Sequence, residues 1–167
     1  MLINIIKWVV LTFLALTLLA VMAGQFGFLR GPPPTDLGVR DGRLKAPSNT
    51  PNSVTSQAEL WPGHPQLAYA TIAPLPVPLA LKGDGPATLA RIHELLRAQA
   101  GMRVVTITPD YLHAEATTRV MKYTDDIEFW FDPAAGMVQV RSASRLGRGD
   151  LGANRARVES IRTALAG

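Results

Sequence analysis

The sequence begins with one long apolar run. No charged residue lies between Trp8 and Leu29, and no polar face interrupts the run as it would in a core helix of a small domain. At the helical rise, these residues would extend roughly 33 Å, which is enough to cross the hydrocarbon core of a bilayer. The pattern predicts a transmembrane anchor over residues 1–30.

A cleaved signal peptide is the alternative interpretation of this run. Lys7 supplies a basic start, and Val21–Ala23 offer small residues at a cleavage point before Gly24. The run is longer than the apolar core of about 7–15 residues found in a signal peptide, which favours a retained anchor.

Two features of the sequence predict opposite orientations of the chain in the membrane. Only Lys7 and the terminal amine precede the span, while four cations follow it, namely Arg30, Arg40, Arg43 and Lys45. That bias alone would keep the domain in the cytoplasm, but long C-terminal domains can be exported against it. We expect a single-pass membrane protein of the cell envelope with a periplasmic or extracytoplasmic domain.

The next segment has no apolar period. Gly31–Gln57 are rich in Pro, Gly, Ser, Thr and Asn, which predicts a linker. Five prolines between Trp61 and Leu81 exclude regular helix there and allow at most an extended segment around Leu67–Ala73.

Regular periodicity starts at Gly85-Pro86, a favourable helix beginning, and ends at Gly101. The apolar positions of this predicted helix form one stripe: Leu89, Ile92, Leu95, Leu96 and Ala100. Four alternating segments follow, at 103–108, 111–120, 127–131 and 137–144, with a hairpin turn at Asp132–Gly136. They predict an antiparallel meander of about four strands in an α+β domain over residues 58–167.

The chain closes with a second helix, predicted from about Ala153 to Leu165. Its apolar stripe contains Leu151, Val158, Ile161 and Leu165, but also Asn154. A carboxamide at a core-facing position must find hydrogen-bond partners. Asn154 is therefore either a buried structural anchor or part of a site.

Charge is distributed unevenly along the chain. The net charge is +4, and Arg141–Gly167 alone hold six arginines against Asp150 and Glu159. Asp110–Asp132 hold six acidic residues against two basic ones. Either the two regions neutralise each other within the fold, or the cationic one meets an external anion. The absence of cysteine excludes disulfides, thiol catalysis and cysteine metal sites.

A literal G-x-G-x-x-G motif spans Gly147–Gly152, between a predicted strand and a predicted helix. Dinucleotide binding would also need a second parallel strand and an acidic residue about 20 positions later, and we reject it. Two alternatives remain. The helix N-terminus could bind an anion together with Arg145, Arg148 and Arg155, or Asp150 could cap the helix and occupy the same donors.

Asp125 and Asp126 are the candidate paired carboxylates. Adjacent strand residues point to opposite faces, so we expect the pair not to converge, with one of them opposite Arg141 or Arg145. Ser142 and Ser144 lie in the same hairpin without the sequence context of a nucleophile. The histidines His64, His93 and His113 show no metal-ligand spacing, and we assign them no role.

Three motifs resemble a known family: D-D-I-E-F at 125–129, R-S-A-S-R-L-G at 141–147 and D-L-G-A-N-R-A-R at 150–157. They are similar to domain of unknown function 1499, with the resemblance running from about Pro47 to the C-terminus. The segment Pro51–Ser56 resembles the family's P-N-C-V-S-S element, with Ser53 where cysteine is usual. The resemblance implies no activity, but family members often carry an N-terminal export or membrane segment.

We expect a membrane-anchored binding or structural module with an anionic ligand, a lipid headgroup or an acidic protein as partner. We expect no nucleic acid, cofactor or metal. The alternative is a hydrolase or transferase in which Asp125 or Asp126 acts as general base. The candidate binding residues are Arg141, Ser142, Ser144, Arg145, Arg148, Asp150, Asn154, Arg155, Asp125 and Asp126.

Overall fold

The computed structural model describes residues 1–81 and 83–166. It begins with helix α1, Leu2–Gln25, whose most apolar stretch has a mean hydropathy of 2.4 and no buried residue. By length and composition the helix could cross a membrane, as a membrane anchor or as a signal sequence.

An antiparallel sheet forms the centre of the following domain. Its strands are β1 (Ser53–Thr55), β2 (Leu75–Pro76), β3 (Met102–Ile107), β4 (Tyr111–Thr117), β5 (Thr124–Asp132) and β6 (Met137–Ser144). The strand order is β1-β6-β5-β4-β3, and β2 pairs with β6 beyond the end of β1. The four-stranded meander is confirmed as β3 to β6, but the sheet has six strands because two short segments extend the free edge of β6.

Two helices pack on one face of this sheet, so the α+β class is confirmed. Helix α3, Gly85–Arg97, starts after Asp84, whose side chain accepts a hydrogen bond from Ala87 N. Helix α4 covers Ala153–Ala166. A further short helix, α2, covers Leu67–Ala70 where only an extended segment was expected. This helical turn fits because no proline lies between Pro65 and Pro74.

The core lies between the sheet and α3 and α4. Alternation along β5 places Ile127 and Phe129 in this core, and Val138 and Val140 of β6 join them, as predicted. Glu128 and Arg141 therefore face the opposite side. That second face of the sheet carries polar side chains, yet Glu128 and Arg141 are buried, so another segment of the chain covers them.

The segment expected to be a linker supplies part of this cover. Leu44 is buried, with its backbone N–H bound to Gln57, and Val54 is fully buried in β1. Gly38 donates its backbone N–H to Glu128. The C-terminal part of residues 31–57, which was predicted to be a linker, thus packs against the sheet. A three-residue strand gives no periodic signal of its own.

Candidate functional site

The candidate site residues form two separate polar networks, one on each face of the sheet. Asp125 faces α4, whereas Asp126 lies on the other face, as the strand alternation predicted. The two carboxylates therefore do not converge on one substrate.

The network under α4 is centred on Asn154, which is fully buried. Its amide oxygen accepts hydrogen bonds from Ser142 Oγ at 2.5 Å and Arg157 Nη1 at 2.7 Å. Arg157 also donates to Asp125 Oδ2 at 2.6 Å. Every one of these polar groups has a partner, which is the arrangement of a structural anchor.

The amide nitrogen of Asn154 connects this network to the rest of the domain. It donates to the backbone oxygen of Asn52 at 3.1 Å, to Ser144 Oγ at 3.1 Å and to Asp150 Oδ2 at 2.8 Å. Asn52 immediately precedes β1. One side chain thus ties α4 to the edge strand and to the end of β6.

Asp150 caps helix α4 in the way considered from the sequence. Its carboxylate accepts from Gly152 N and from Asn154 N, each at 3.0 Å, and from the hydroxyl of Tyr69. Burial raises the pKa of Asp150, but the hydrogen bonds from Tyr69 and Asn154 outweigh it, and the pKa is lowered. The backbone N–H groups at the N-terminus of α4, which an external anion would have needed, are therefore already bound to Asp150.

The network on the opposite face is centred on Asp126 and Arg145. Arg145 donates to both oxygens of Asp126 at 2.8 Å and to Glu115 Oε1 at 2.6 Å. His113 Nε2 lies 2.8 Å from Asp126 Oδ1. Burial raises the pKa of Asp126, but the bonds from Arg145 and His113 lower it below its ordinary value. Asp126 consequently remains ionised and is a weak base.

Arg141 and Glu128 form the second pair of this face. Arg141 Nη1 lies 3.6 Å from Glu128 Oε2, and Arg141 Nε donates to Ala46 O at 3.2 Å. Glu128 Oε1 accepts from Tyr111 and Gly38, each at 2.8 Å, whereas buried Oε2 has no hydrogen-bond donor in the described part of the chain. Burial lowers the pKa of Arg141, although the charge of Glu128 opposes this effect.

A cavity of about 500 Å³ lies between this face and residues 32–49. Prolines and the main chain of that segment form its outer wall. The polar residues that line it are Lys45, Ser48, Asn49, His64, Asp126, Arg141, Ser144 and Arg145. Buried cations and one carboxylate thus meet in a space large enough for a small ligand.

The remaining two arginines of the predicted set lie elsewhere. Arg148 is exposed in the loop before α4 and makes no hydrogen bond or ion pair with any residue that the structure describes. Arg155 donates to the backbone oxygen of Tyr69. The four arginines expected to form one surface do not come together, and only Arg141 and Arg145 share the cavity.

Several residues of these networks were not identified from the sequence. His113, Glu115 and Tyr111 lie at alternate positions of β4, so they could have been assigned to one face. Their pairing with Asp126 and Glu128 depends on the register between β4 and β5. Lys45, Asn52 and His64 lie in irregular segments, where no sequence pattern indicates which face they approach.

Comparison with known proteins gives one match for this chain, which is to a protein family. No curated protein and no solved structure matched the chain significantly. The family described as protein of unknown function (DUF1499) matches residues 43–165. That match spans most of the chain, including β1 and both networks. The chain belongs to the DUF1499 family of proteins of unknown function.

Proposed function

We propose that this protein is a membrane-anchored, non-enzymatic binding module, and that the cavity beneath residues 32–49 holds a small anionic group such as a phosphate or a carboxylate. The observation that carries this proposal is the state of Arg141. It is a deeply buried cation on the wall of the cavity, and most of its N–H donors have no partner among the residues that the structure describes.

Arg141 has a relative exposure of 4%, and a guanidinium carries five N–H donors. Its only hydrogen bond to the described residues is the one from Nε to Ala46 O. The 3.6 Å contact with Glu128 is an ion pair without a hydrogen bond. The N–H groups that Arg141 does not use are therefore available to a ligand in the cavity, and charge-assisted hydrogen bonds from a guanidinium to an anion are stronger than those to water or to a neutral acceptor.

The other lining residues support an anion over a cation. Lys45 also lines the cavity, and its present partner is the half-exposed Asp36, so its ammonium can exchange partners at little cost. Arg145 adds a second buried guanidinium, although its charge is shared with Asp126 and Glu115. The cavity is half open, but the side chains of Arg141 and Arg145 are themselves buried, which lowers the effective dielectric constant around them and strengthens their attraction for an anion.

The alternative of a hydrolase or transferase has less support. Asp125 is bound to Arg157 beneath α4, and Asp126 is bound by Arg145 and His113. A general base needs a pKa close to the working pH, and the lowered pKa of Asp126 moves in the wrong direction.

Titration calorimetry of the full chain in uncharged detergent micelles tests the proposal. Inorganic phosphate and succinate serve as separate probes, at low and at high salt. We expect salt-sensitive binding of at least one probe, weakened about tenfold by Arg141→Lys because the planar fork is lost, and also weakened by Lys45→Gln.

The matched control is Arg148→Gln, which removes an exposed arginine outside the cavity. It should bind like the wild type. Lys45 is partly exposed, so Lys45→Gln remains informative if Arg141→Lys fails to fold. Binding that is absent for both probes, or that both cavity variants leave unchanged, would contradict the proposal.

A further inference from the structure

One end of the domain carries exposed apolar and basic residues that the cavity does not use. We call this end the membrane-proximal surface and define it as residues 26–30, 118–123 and 146–151. It includes the β4–β5 loop and the loop between β6 and α4. Both loops lie at the same end of the sheet because β4 ends, β5 begins and β6 ends there.

Helix α1 meets the domain at this end. Gln25 Nε2 donates to the backbone oxygen of Val120 at 2.7 Å. A Cβ atom on Gly24 would lie 2.5 Å from the backbone oxygen of Met121, so the helix and the β4–β5 loop approach as closely as glycine permits. If α1 is retained in a bilayer, its C-terminal end brings both loops to the bilayer interface.

Several apolar side chains of this surface are exposed to solvent. Leu151 is fully exposed at 106%, and Phe28 and Phe26 are exposed at 78% and 74%. Leu151 also has a positive φ of 52°, a conformation that is unfavourable for a leucine. A strained loop that presents a leucine to solvent is unfavourable in water, but it suits insertion below the headgroups.

The charges of the same surface are almost all positive. Arg30, Arg119, Lys122 and Arg148 lie in these three segments, and their side chains make no ion pair or hydrogen bond with the residues that the structure describes. The only acidic residue there is Asp150, whose carboxylate caps α4. Unpaired cations around exposed apolar residues are complementary to an anionic lipid surface.

We infer that the membrane-proximal surface docks onto the bilayer interface, with Leu151 inserted and the four cations contacting anionic lipid headgroups. The domain would then lie against the membrane instead of extending away from it on α1. This inference is independent of the anion cavity, because none of the four cations lines that cavity.

Site-specific fluorescence on the full chain in nanodiscs tests the inference. The natural sequence has no cysteine, so Leu151→Cys provides one site for an environment-sensitive nitrobenzoxadiazole label. In discs of phosphatidylcholine and phosphatidylglycerol, we expect blue-shifted emission and quenching by spin-labelled lipids. Quenching should be weaker in discs of phosphatidylcholine alone.

Leu79→Cys is the matched control. Leu79 is 95% exposed and follows β2, which pairs with the opposite end of β6. Its label should show water-like emission in both kinds of disc. Changing Arg119, Lys122 and Arg148 to Gln should weaken anionic-lipid docking about fivefold per cation. Equal emission and equal quenching for the labels at positions 151 and 79 would overturn the inference. Quenching of the label at position 151 that is the same in anionic and in neutral discs would also overturn it.

Discussion

At the residue scale, Asn154 shows how one polar side chain can fix the position of a helix. It lies on the apolar stripe of α4, yet it is fully buried and bound to groups from β6, from the segment before β1 and from its own helix cap. A leucine at this position would remove one hydrogen-bond partner from each of those groups. The residue therefore specifies where α4 docks, and the sequence alone could not separate this role from a binding role.

We expect Asn154→Ala to lower the free energy of unfolding by about 3 kcal/mol, because Asn52 O and the two serine hydroxyls would lose a buried partner. Denaturant titration followed by tryptophan fluorescence would measure this change. Asn49→Ala is the control, since Asn49 is exposed, and it should change the free energy by less than about 0.5 kcal/mol. Equal effects of the two substitutions would refute the anchoring role.

At the element scale, ion pairs on the polar face hold neighbouring strands together. Arg145, just beyond β6, bridges Asp126 of β5 and Glu115 of β4. Arg157 of α4 pairs with Asp125 of β5 on the other face. Part of the cationic C-terminal region therefore neutralises the acidic strands before it, which was one of the two possibilities raised by the charge distribution.

These pairs make stability dependent on pH in a defined direction. The pKa of Asp126 is lowered from 3.8, so its contribution is complete above that value and is lost as the pH falls through its folded pKa. Glu115 and Asp150 also have lowered pKa values. We expect the free energy of unfolding to decrease below about pH 5, and Asp126→Asn to make that decrease shallower.

Denaturant titrations between neutral and acidic pH would measure how steeply the free energy of unfolding depends on pH in the wild type and in Asp126→Asn. At neutral pH, Asp126→Asn should itself cost about 3 kcal/mol because it removes one partner of a buried pair. Glu94→Gln is the control, since Glu94 is exposed on α3, and it should keep the wild-type slope. If Asp126→Asn kept the pH dependence of the wild type, the Asp126 carboxylate would not be the cause of the loss of stability at acidic pH.

At the scale of the whole molecule, the chain combines an apolar helix with a domain that has two differently built faces. One face of the sheet carries the apolar core beneath α3 and α4. The other is covered by an irregular segment that leaves a cavity beside Arg141 and Arg145. The proposed function depends on this second face and on retention of α1.

Retention of α1 can be tested directly. We expect the expressed protein to keep residues 1–25 and to resist extraction from membranes by carbonate, which intact-mass spectrometry and fractionation would measure. Leu14→Arg, at the centre of α1, should reduce the extraction-resistant fraction because it costs about 3 kcal/mol of insertion free energy. Leu14→Val is the control. An intact mass that corresponds to a chain starting near Gly24 would instead identify a cleaved signal peptide.

Much of the fold follows from local periodicity. The helix beginning at Gly85, the four long strands and the opposite orientation of Asp125 and Asp126 were predicted because each depends on spacing within one segment. The first helix and the family motifs were also visible in the sequence. These features can be predicted without knowing which segments contact each other in the folded chain.

The sequence by itself thus determined the types of the long elements, the faces of the long strands and the family. Only the tertiary structure decided that β1 and β2 join β6, that Arg141 is buried beside Glu128 and that the segment after α1 forms one wall of a cavity. The physical reason is that strands of two or three residues carry no periodic signal. Their positions, and the partners of the buried charges, are set by contacts between segments far apart in the chain.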